Sequence, residues 1–325
     1  MGTQCKNAKP KSWPWIHACA GMSGVKIEGP MTTFSLDTLN AATEADFTAA
    51  LADIYEHSHW VAKAASAQRP FATLAALHDG LMAAVNAAPA SARLALVKAH
   101  PDLAGNAARA GALTADSTNE QASVGLDRLT ETEFARFHRL NDAYQAKFDI
   151  PFIVCVRRHS KDSILREFER RLTHTSADEM ATALGEIFRI AALRLDARVS
   201  APDRLEVTGR LSTHVLDVHG GKPAQGVPIE LWELSEAGQH RLLVRSLTND
   251  DGRTGKPLIA GRPVPIGTYE LRFAVAGYFA TGGVALSKPP YIDVVPIRFS
   301  VAEPEGHYHV PLVMTPWSYS TYRGS

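Results

Sequence analysis

A chain of 325 residues is long enough for two ordinary domains, each with its own core. Its 45% hydrophobic and 21% charged content is that of a soluble globular protein. The 34 basic residues balance 34 acidic ones, so no electrostatic reason exists to expect nucleic acid or an anionic membrane as partner, and no apolar run approaches the roughly 20 residues that span a bilayer.

Residues 1–30 are irregular and rich in Lys, Pro, Gly and Trp, and Trp13-Pro14-Trp15 interrupts any signal-type apolar stretch. We expect a disordered leader or start-site extension there, with no secretory signal. Cys5, Cys19 and Cys155 are odd in number and lack paired or metal-type spacing, which fits a reducing compartment better than a disulfide framework. From Met31 to about Val199 the chain is Ala-rich and reads as helices. Thr43-Glu44-Ala45-Asp46 has the form of a capping box, and Phe47, Leu51, Ile54 and Tyr55 are spaced for one helical face. Pro70 precedes a second helical run through Val85, and Pro89 a third that stops at His100-Pro101. Phe134, Phe137, Leu140, Tyr144 and Phe148 recur at helical steps, and Ser176-x-x-Glu179 reads as the cap of a last helix striped by Met180, Leu184, Ile187, Phe188 and Ala191. Only Pro151 to Val156 looks extended. The first domain, residues 31–200, is therefore expected to be an all-α helical bundle.

After Pro202 the pattern changes. Ile229 to Leu234, Leu242 to Leu247, Tyr269 to Val275 and Ile297 to Val301 alternate or carry β-branched and aromatic residues, with turn clusters at Gly220-Gly221, Asn249-Asp250-Asp251-Gly252 and Gly282-Gly283. Short strands at such spacing suggest a second, all-β sandwich domain over residues 205–325, joined through a short hinge near Ser200 to Arg204.

Two sets of residues in these elements invite chemistry. His100 falls where Pro101 forces a helix to end, and Ser117, Glu120 and Gln121 are spaced to share one helical face; the plainer reading of that trio is a capping box, Ser117-x-x-Glu120. In the β domain, His214 sits in a period-2 strand, Arg253 follows a tight Asp-Gly turn, and His307 and His309 are spaced to share a strand face. A zinc site from these histidines would lack both Cys and an H-x-x-x-H spacing, so no metal is expected.

The runs Leu211 to Asp217, Leu247 to Thr254 and His307 to Leu312, with the terminal Ser318-Tyr319-Ser320-Thr321-Tyr322-Arg323-Gly324-Ser325, resemble the signatures of the 5-hydroxyisourate hydrolases over about 120 residues. The resemblance implies a transthyretin-like sandwich, assembly as a homotetramer, and hydrolysis of the N1–C6 amide of 5-hydroxyisourate. One of His214 and His309 would activate water, Arg253 would bind or stabilise anionic oxygen, and Tyr322, Arg323, Gly324 and Ser325 would close the pocket. Hormone carriers of the same fold have Lys, Glu and Thr in place of His214, Arg253 and His309 and lack the Tyr-Arg-Gly-Ser end, so the hydrolase reading is preferred to a carrier.

The helical half is similar to the decarboxylases of 2-oxo-4-hydroxy-4-carboxy-5-ureidoimidazoline (OHCU) over about 170 residues, through Ala99 to Ala104, the Ser117/Glu120/Gln121 trio, Phe148 to Cys155 and Arg194. It departs at Lys147-Phe148-Asp149-Ile150, where the family often has Lys-Phe-Gly-Phe. The resemblance implies a cofactor-free reaction in which His100 is the acid/base and Glu120 orients it or binds the substrate hydroxyl. Arg194 would bind substrate oxygens as a fork, Ser117 and Gln121 would hold the ureido group, and Pro101, Phe152 and Ile153 would complete the pocket. The two reactions are consecutive, so we expect a bifunctional enzyme of urate degradation, a cyclic amide hydrolase and carboxy-lyase that yields (S)-allantoin. A single-activity hydrolase with a degenerate helical domain is the alternative. A homo-oligomer is expected, tetrameric through the sandwich with dimer contacts through the helical domain, and the final Arg-Gly-Ser is not of the peroxisomal type, so a cytoplasmic location is expected.

Overall fold

A computed structural model describes residues 33–103 and 114–324. The leader over residues 1–30, Ala104 to Asn106 and Ser325 lie outside the described residues.

The helices run α1 Leu36–Ala41, α2 Glu44–Ala50, α3 His59–Ser66, α4 Leu74–Ala87, α5 Ala90–Lys98, α6 Ala115–Ser123, α7 Glu131–Phe148, α8 Lys161–Arg171 and α9 Ser176–Arg198. Their starts are set by local chemistry. The Thr43 hydroxyl accepts from the Asp46 amide, and Thr130 forms a full capping box with Glu133. The cap of α9 is Thr175, one residue before the expected Ser176, and it accepts from the Asp178 amide. Glu179 caps nothing. It is fully buried and takes an ion pair from Arg171 and hydrogen bonds from Tyr144 and His174. The Phe47–Tyr55 stripe does not remain one helix, since α2 stops at Ala50 and the chain turns before α3. Pro151 to Val156, expected to be extended, forms no strand: it is an irregular, wholly buried run that passes into a 3-10 turn at Val156. Arg171 holds it by donating to the Ile153 carbonyl at 2.6 Å and stacking its guanidinium 4.4 Å from the Phe152 ring centroid.

The strands begin with a short parallel pair, β1 Phe34–Ser35 with β2 Val199–Ser200, which closes the helical domain end to end. Beyond it lie β3 Gly209–Ser212, β4 Val215–Asp217, β5 Lys222–Pro223, β6 Pro228–Leu234, β7 His240–Leu247, β8 Ile259–Arg262, β9 Gly267–Ala274, β10 Val294–Val301, β11 His307–His309, β12 Leu312–Met314 and β13 Tyr319–Ser320. One face of the sandwich is the antiparallel order β10-β9-β6-β7. The other is built from β11-β3-β8 and β13-β12-β4-β5. Between them Ile229, Leu231, Leu271, Phe273, Val295 and Leu312 are buried together, as the period-2 pattern requires. Val275 does not end a strand but opens a short helix, α10 Val275–Thr281.

The linker is folded down onto the helical domain. Asp203 accepts from the Leu74 and Ala75 amides at the start of α4, and Asp196 accepts from Arg204 and the Leu205 amide. The two domains also share backbone hydrogen bonds: Ser160 N to Ile266 O at 3.0 Å and Ile266 N to Arg158 O at 2.8 Å. Arg158 adds a two-pronged ion pair with Glu305 at 2.7 and 2.9 Å.

Candidate functional site

In the helical domain, α5 ends at Lys98 because Pro101 bars helical geometry just before it. His100 emerges there, buried, and its Nδ1 lies 3.0 Å from the Leu96 carbonyl. A carbonyl only accepts, so Nδ1 carries the proton and Nε2 holds the lone pair of the neutral ring. Burial pushes the pKa of His100 down from 6.5 to about 4, with the Leu96 carbonyl and Glu56 pulling the other way. The imidazole is therefore a neutral base at pH 7.

Helix α6 is capped by Thr114, whose hydroxyl accepts from the Ser117 amide. Ser117 thus lies inside the first turn, and the capping-box reading of Ser117 and Glu120 does not hold. Their helical spacing instead turns both toward α9, where Arg194 waits. Glu120 takes Arg194 Nε and Nη2, both at 2.9 Å. Arg194 Nη1 reaches Glu56 at 2.9 Å and the Asp53 carbonyl at 3.2 Å, and Nη2 leans on Ser117 Oγ at 3.5 Å. Burial works against the Arg194 charge, but Glu120 and Glu56 more than offset it and raise its pKa.

Two expected roles change. Glu120 does not orient His100, because Arg194 takes both its oxygens and the Leu96 carbonyl orients the ring. Nor is Arg194 an open fork, because carboxylates occupy its two prongs and only the Nη2 proton facing Ser117 is weakly held. What holds is the convergence. His100, Pro101, Ser117, Glu120, Gln121, Phe152, Ile153 and Arg194 all line one small cleft, with Leu103, Val154, Val156 and Ile190 as its apolar remainder.

Glu56 was not singled out from the sequence, yet it is 3% exposed and central to the cluster. It accepts from Thr114 Oγ1 at 2.7 Å, Ser117 Oγ at 3.2 Å and Arg194. Burial raises its pKa, but the Thr114 hydrogen bond and the Arg194 charge outweigh that and hold it below the usual carboxylate value. The available signal was the run Glu56-His57-Ser58-His59, polar residues directly after an apolar stripe.

In the sandwich, His214 is not within a continuous strand. The chain breaks between β3 and β4, and His214 forms an isolated antiparallel bridge with Arg253. The break follows from a crossing of the chain, since Thr213 donates to the Val310 carbonyl and the Val215 amide to that of Gly252. His214 Nε2 is buried with no hydrogen-bond partner among the described residues. The Asp251 carbonyl beside the ring favours a proton on Nδ1, which would leave the unpartnered Nε2 with the lone pair. Burial, then Arg253, lowers the His214 pKa; burial, then Arg253 and His307, lowers that of His309.

β11 lies parallel to β3, with His309 opposite Ser212. Ser212 Oγ joins His307 Nε2 and His309 Nδ1, each at 3.0 Å, a link not anticipated from sequence. The tail returns so that the Gly324 amide donates to the His309 carbonyl at 3.0 Å. Among the described residues of the expected closing set, only Gly324 reaches the histidine. Tyr322 and Arg323 are exposed, with Arg323 lying 5.8 Å from the Tyr308 ring centroid, and Ser325 is outside the described residues.

Comparison with known proteins matches the two halves of the chain to separate families. Residues 40–196 match the model of the OHCU decarboxylase family, and residues 211–324 that of the HIUase/transthyretin family. The 5-hydroxyisourate hydrolase of Deinococcus radiodurans is 57% identical over 116 residues, 35% of this chain and 95% of that protein. The OHCU decarboxylase of Halalkalicoccus jeotgali is 39% identical over 166 residues, 51% of this chain and 92% of that one. The solved structure of an (S)-allantoin synthase is 35% identical, covering 90% of this chain and 100% of its own, at a TM-score of 0.48.

Proposed function

The chain belongs to the OHCU decarboxylase family through its helical domain and to the HIUase/transthyretin family through its sandwich, and from this we propose that it performs two consecutive steps of urate degradation. The sandwich hydrolyses 5-hydroxyisourate. His214 Nε2, the lone-pair nitrogen with no protein partner, takes a proton from water as it adds to the ring carbonyl. Arg253 stabilises the developing oxyanion, and His309, tuned by Ser212, takes part in returning the proton to the leaving nitrogen.

The product, OHCU, is then decarboxylated in the helical cleft to (S)-allantoin. Loss of carbon dioxide leaves an electron pair that the substrate's own imine accepts, so the protein has only to bind, orient and move protons. His100, neutral and with Nε2 free of its own proton, takes the substrate hydroxyl proton and delivers one to a single face of the ureido-bearing carbon. Ser117 and Gln121 meet the ureido group. The convergence of His100, Ser117, Glu120 and Arg194 on one cleft carries this reading.

The assay adds 5-hydroxyisourate alone and follows optical rotation. Dextrorotatory allantoin from the single chain is the expected result. His214→Ala should stop accelerated hydrolysis, and His100→Ala should leave racemic product. Unchanged rates in both variants would overturn the site assignments. Homo-oligomerisation through the sandwich belongs to the same proposal, since Val218, Trp317, Tyr319 and Tyr322 are exposed on a single subunit. Light scattering should find a tetramer; a monomer would contradict it.

A further inference from the structure

Behind the wall of the helical cleft, on the far side of Arg194 and Ser117, lies a buried carboxylate that the reaction just described does not use. Glu56 lies on the turn between α2 and α3, and the next residue, His57, is held at φ 46, a left-handed conformation that a histidine adopts only at a cost. That turn delivers the Glu56 carboxylate into the cluster from the side opposite Glu120. We propose that Glu56 is a positioning residue for the decarboxylation, fixing the hydrogen-bond polarity of Ser117 and the rotation of Arg194; this rests on reading the cleft as the decarboxylase site.

The argument is one of donors and acceptors. An ionised carboxylate can only accept. Glu56 Oε1 therefore takes the protons of both Thr114 and Ser117, at 2.7 and 3.2 Å. With its one proton committed, Ser117 Oγ has only lone pairs to offer, and it becomes an acceptor suited to a ureido N–H. On the other oxygen, Glu56 Oε2 holds Arg194 Nη1 at 2.9 Å, while Glu120 holds the opposite edge of the same guanidinium. A guanidinium clamped on both edges cannot rotate, so its remaining Nη2 proton stays beside Ser117, 3.5 Å away. Glu56 thereby leaves one acceptor and one charged donor side by side at the wall of the cleft, without touching the substrate itself.

Glu56→Gln conserves shape but not polarity. If the amide oxygen faces Arg194, its NH2 faces Ser117 and turns that hydroxyl into a donor. If the oxygen faces Ser117, two donors confront each other at Arg194. Either arrangement should lower kcat/KM for decarboxylation by about tenfold or more, the scale for losing a hydrogen bond to a charged group. A Glu56/Ser117 double-mutant cycle in the full-length chain tests it, with 5-hydroxyisourate as substrate, circular dichroism of allantoin as readout and hydrolysis by the same molecules as the reference. Because Glu56 acts through Ser117, Glu56→Gln should cost clearly less in a Ser117→Ala background than in the native chain. Equal costs in both backgrounds, or an undiminished kcat/KM in Glu56→Gln, overturn the proposal. Failure of the native chain to decarboxylate would instead overturn the reading of the cleft. Should Glu56→Gln lose its helical circular dichroism, Glu56→Asp, which keeps the charge but retracts the carboxylate, goes through the same cycle with the same two readings.

Discussion

A Cβ placed on Gly324 would lie 2.4 Å from Cδ2 of His309, so the chain's last turn can approach the imidazole only because residue 324 has no side chain. Gly324→Ala must push the tail away from His309 or tilt the ring off Ser212. We predict a fall of about tenfold or more in kcat/KM for hydrolysis, the scale of a displaced catalytic group, with stereospecific decarboxylation retained. Full hydrolysis in the variant would show that the tail's approach to His309 is incidental.

Burial, and after it the Arg253 charge, hold the His214 pKa below 6.5, while the Asp251 carbonyl opposes them. The acid limb of kcat/KM for hydrolysis should accordingly fall below that ordinary value. Arg253→Gln removes the repulsion, so the limb should move upward while kcat drops. A limb that stays in place would identify a different group as the base.

His159, at the seam between the domains, is buried, and burial drives its pKa from 6.5 to about 4. The unfolded chain therefore binds the extra proton first as pH falls, and the stability is complete above pH 6.5 and lost on the way to 4. His100 acts over the same window, and Glu56, depressed below its ordinary value of 4.5, adds to the loss at still lower pH. For His159 alone the loss by pH 4.5 amounts to about 2 kcal/mol. Urea unfolding at pH 7 and 4.5 should show that difference shrinking in His159→Gln; an equal loss in parent and variant would place the acid sensitivity elsewhere.

Asp149 closes α7 at φ 55, the left-handed position where the decarboxylase family often has glycine. Its compensation is a 2.7 Å ion pair with Lys98, but the Asp149 side chain is 94% exposed and such pairs contribute little. Asp149→Gly should therefore stabilise the protein by roughly 0.5–1 kcal/mol, read as a higher Tm. A lower Tm would mean that the Lys98 pair matters more than the backbone strain.

The two-domain plan was legible because its signals are local. Helical periodicity placed Phe137, Leu140 and Tyr144 on the buried side of α7, and alternation placed Ile229 and Leu231 inside the sandwich. The cleft was legible through family-like spacing around His100, Ser117 and Arg194. Glu56 was not, because its partners Ser117 and Arg194 lie 61 and 138 residues away and no local period connects them. The break at His214 was hidden for a similar reason: it arises where Gly252 packs against Val215, a contact that the alternation of residues 211–217 does not encode. Thr175 and Ser176 are both good caps, and only the observed backbone decides between them.

The Arg158–Ile266–Ser160 seam makes this fusion more than a pair of modules on a string. Arg158 and Ser160 directly follow the buried run that walls the helical cleft, and Ile266 leads straight into β9 of the sandwich. A gene split at the linker would leave one half with an unpaired Arg158 and the open backbone groups of Arg158 and Ser160, and the other with an unmatched Glu305 and Ile266. Anyone dissecting the chain into stand-alone catalysts would have to re-surface both halves.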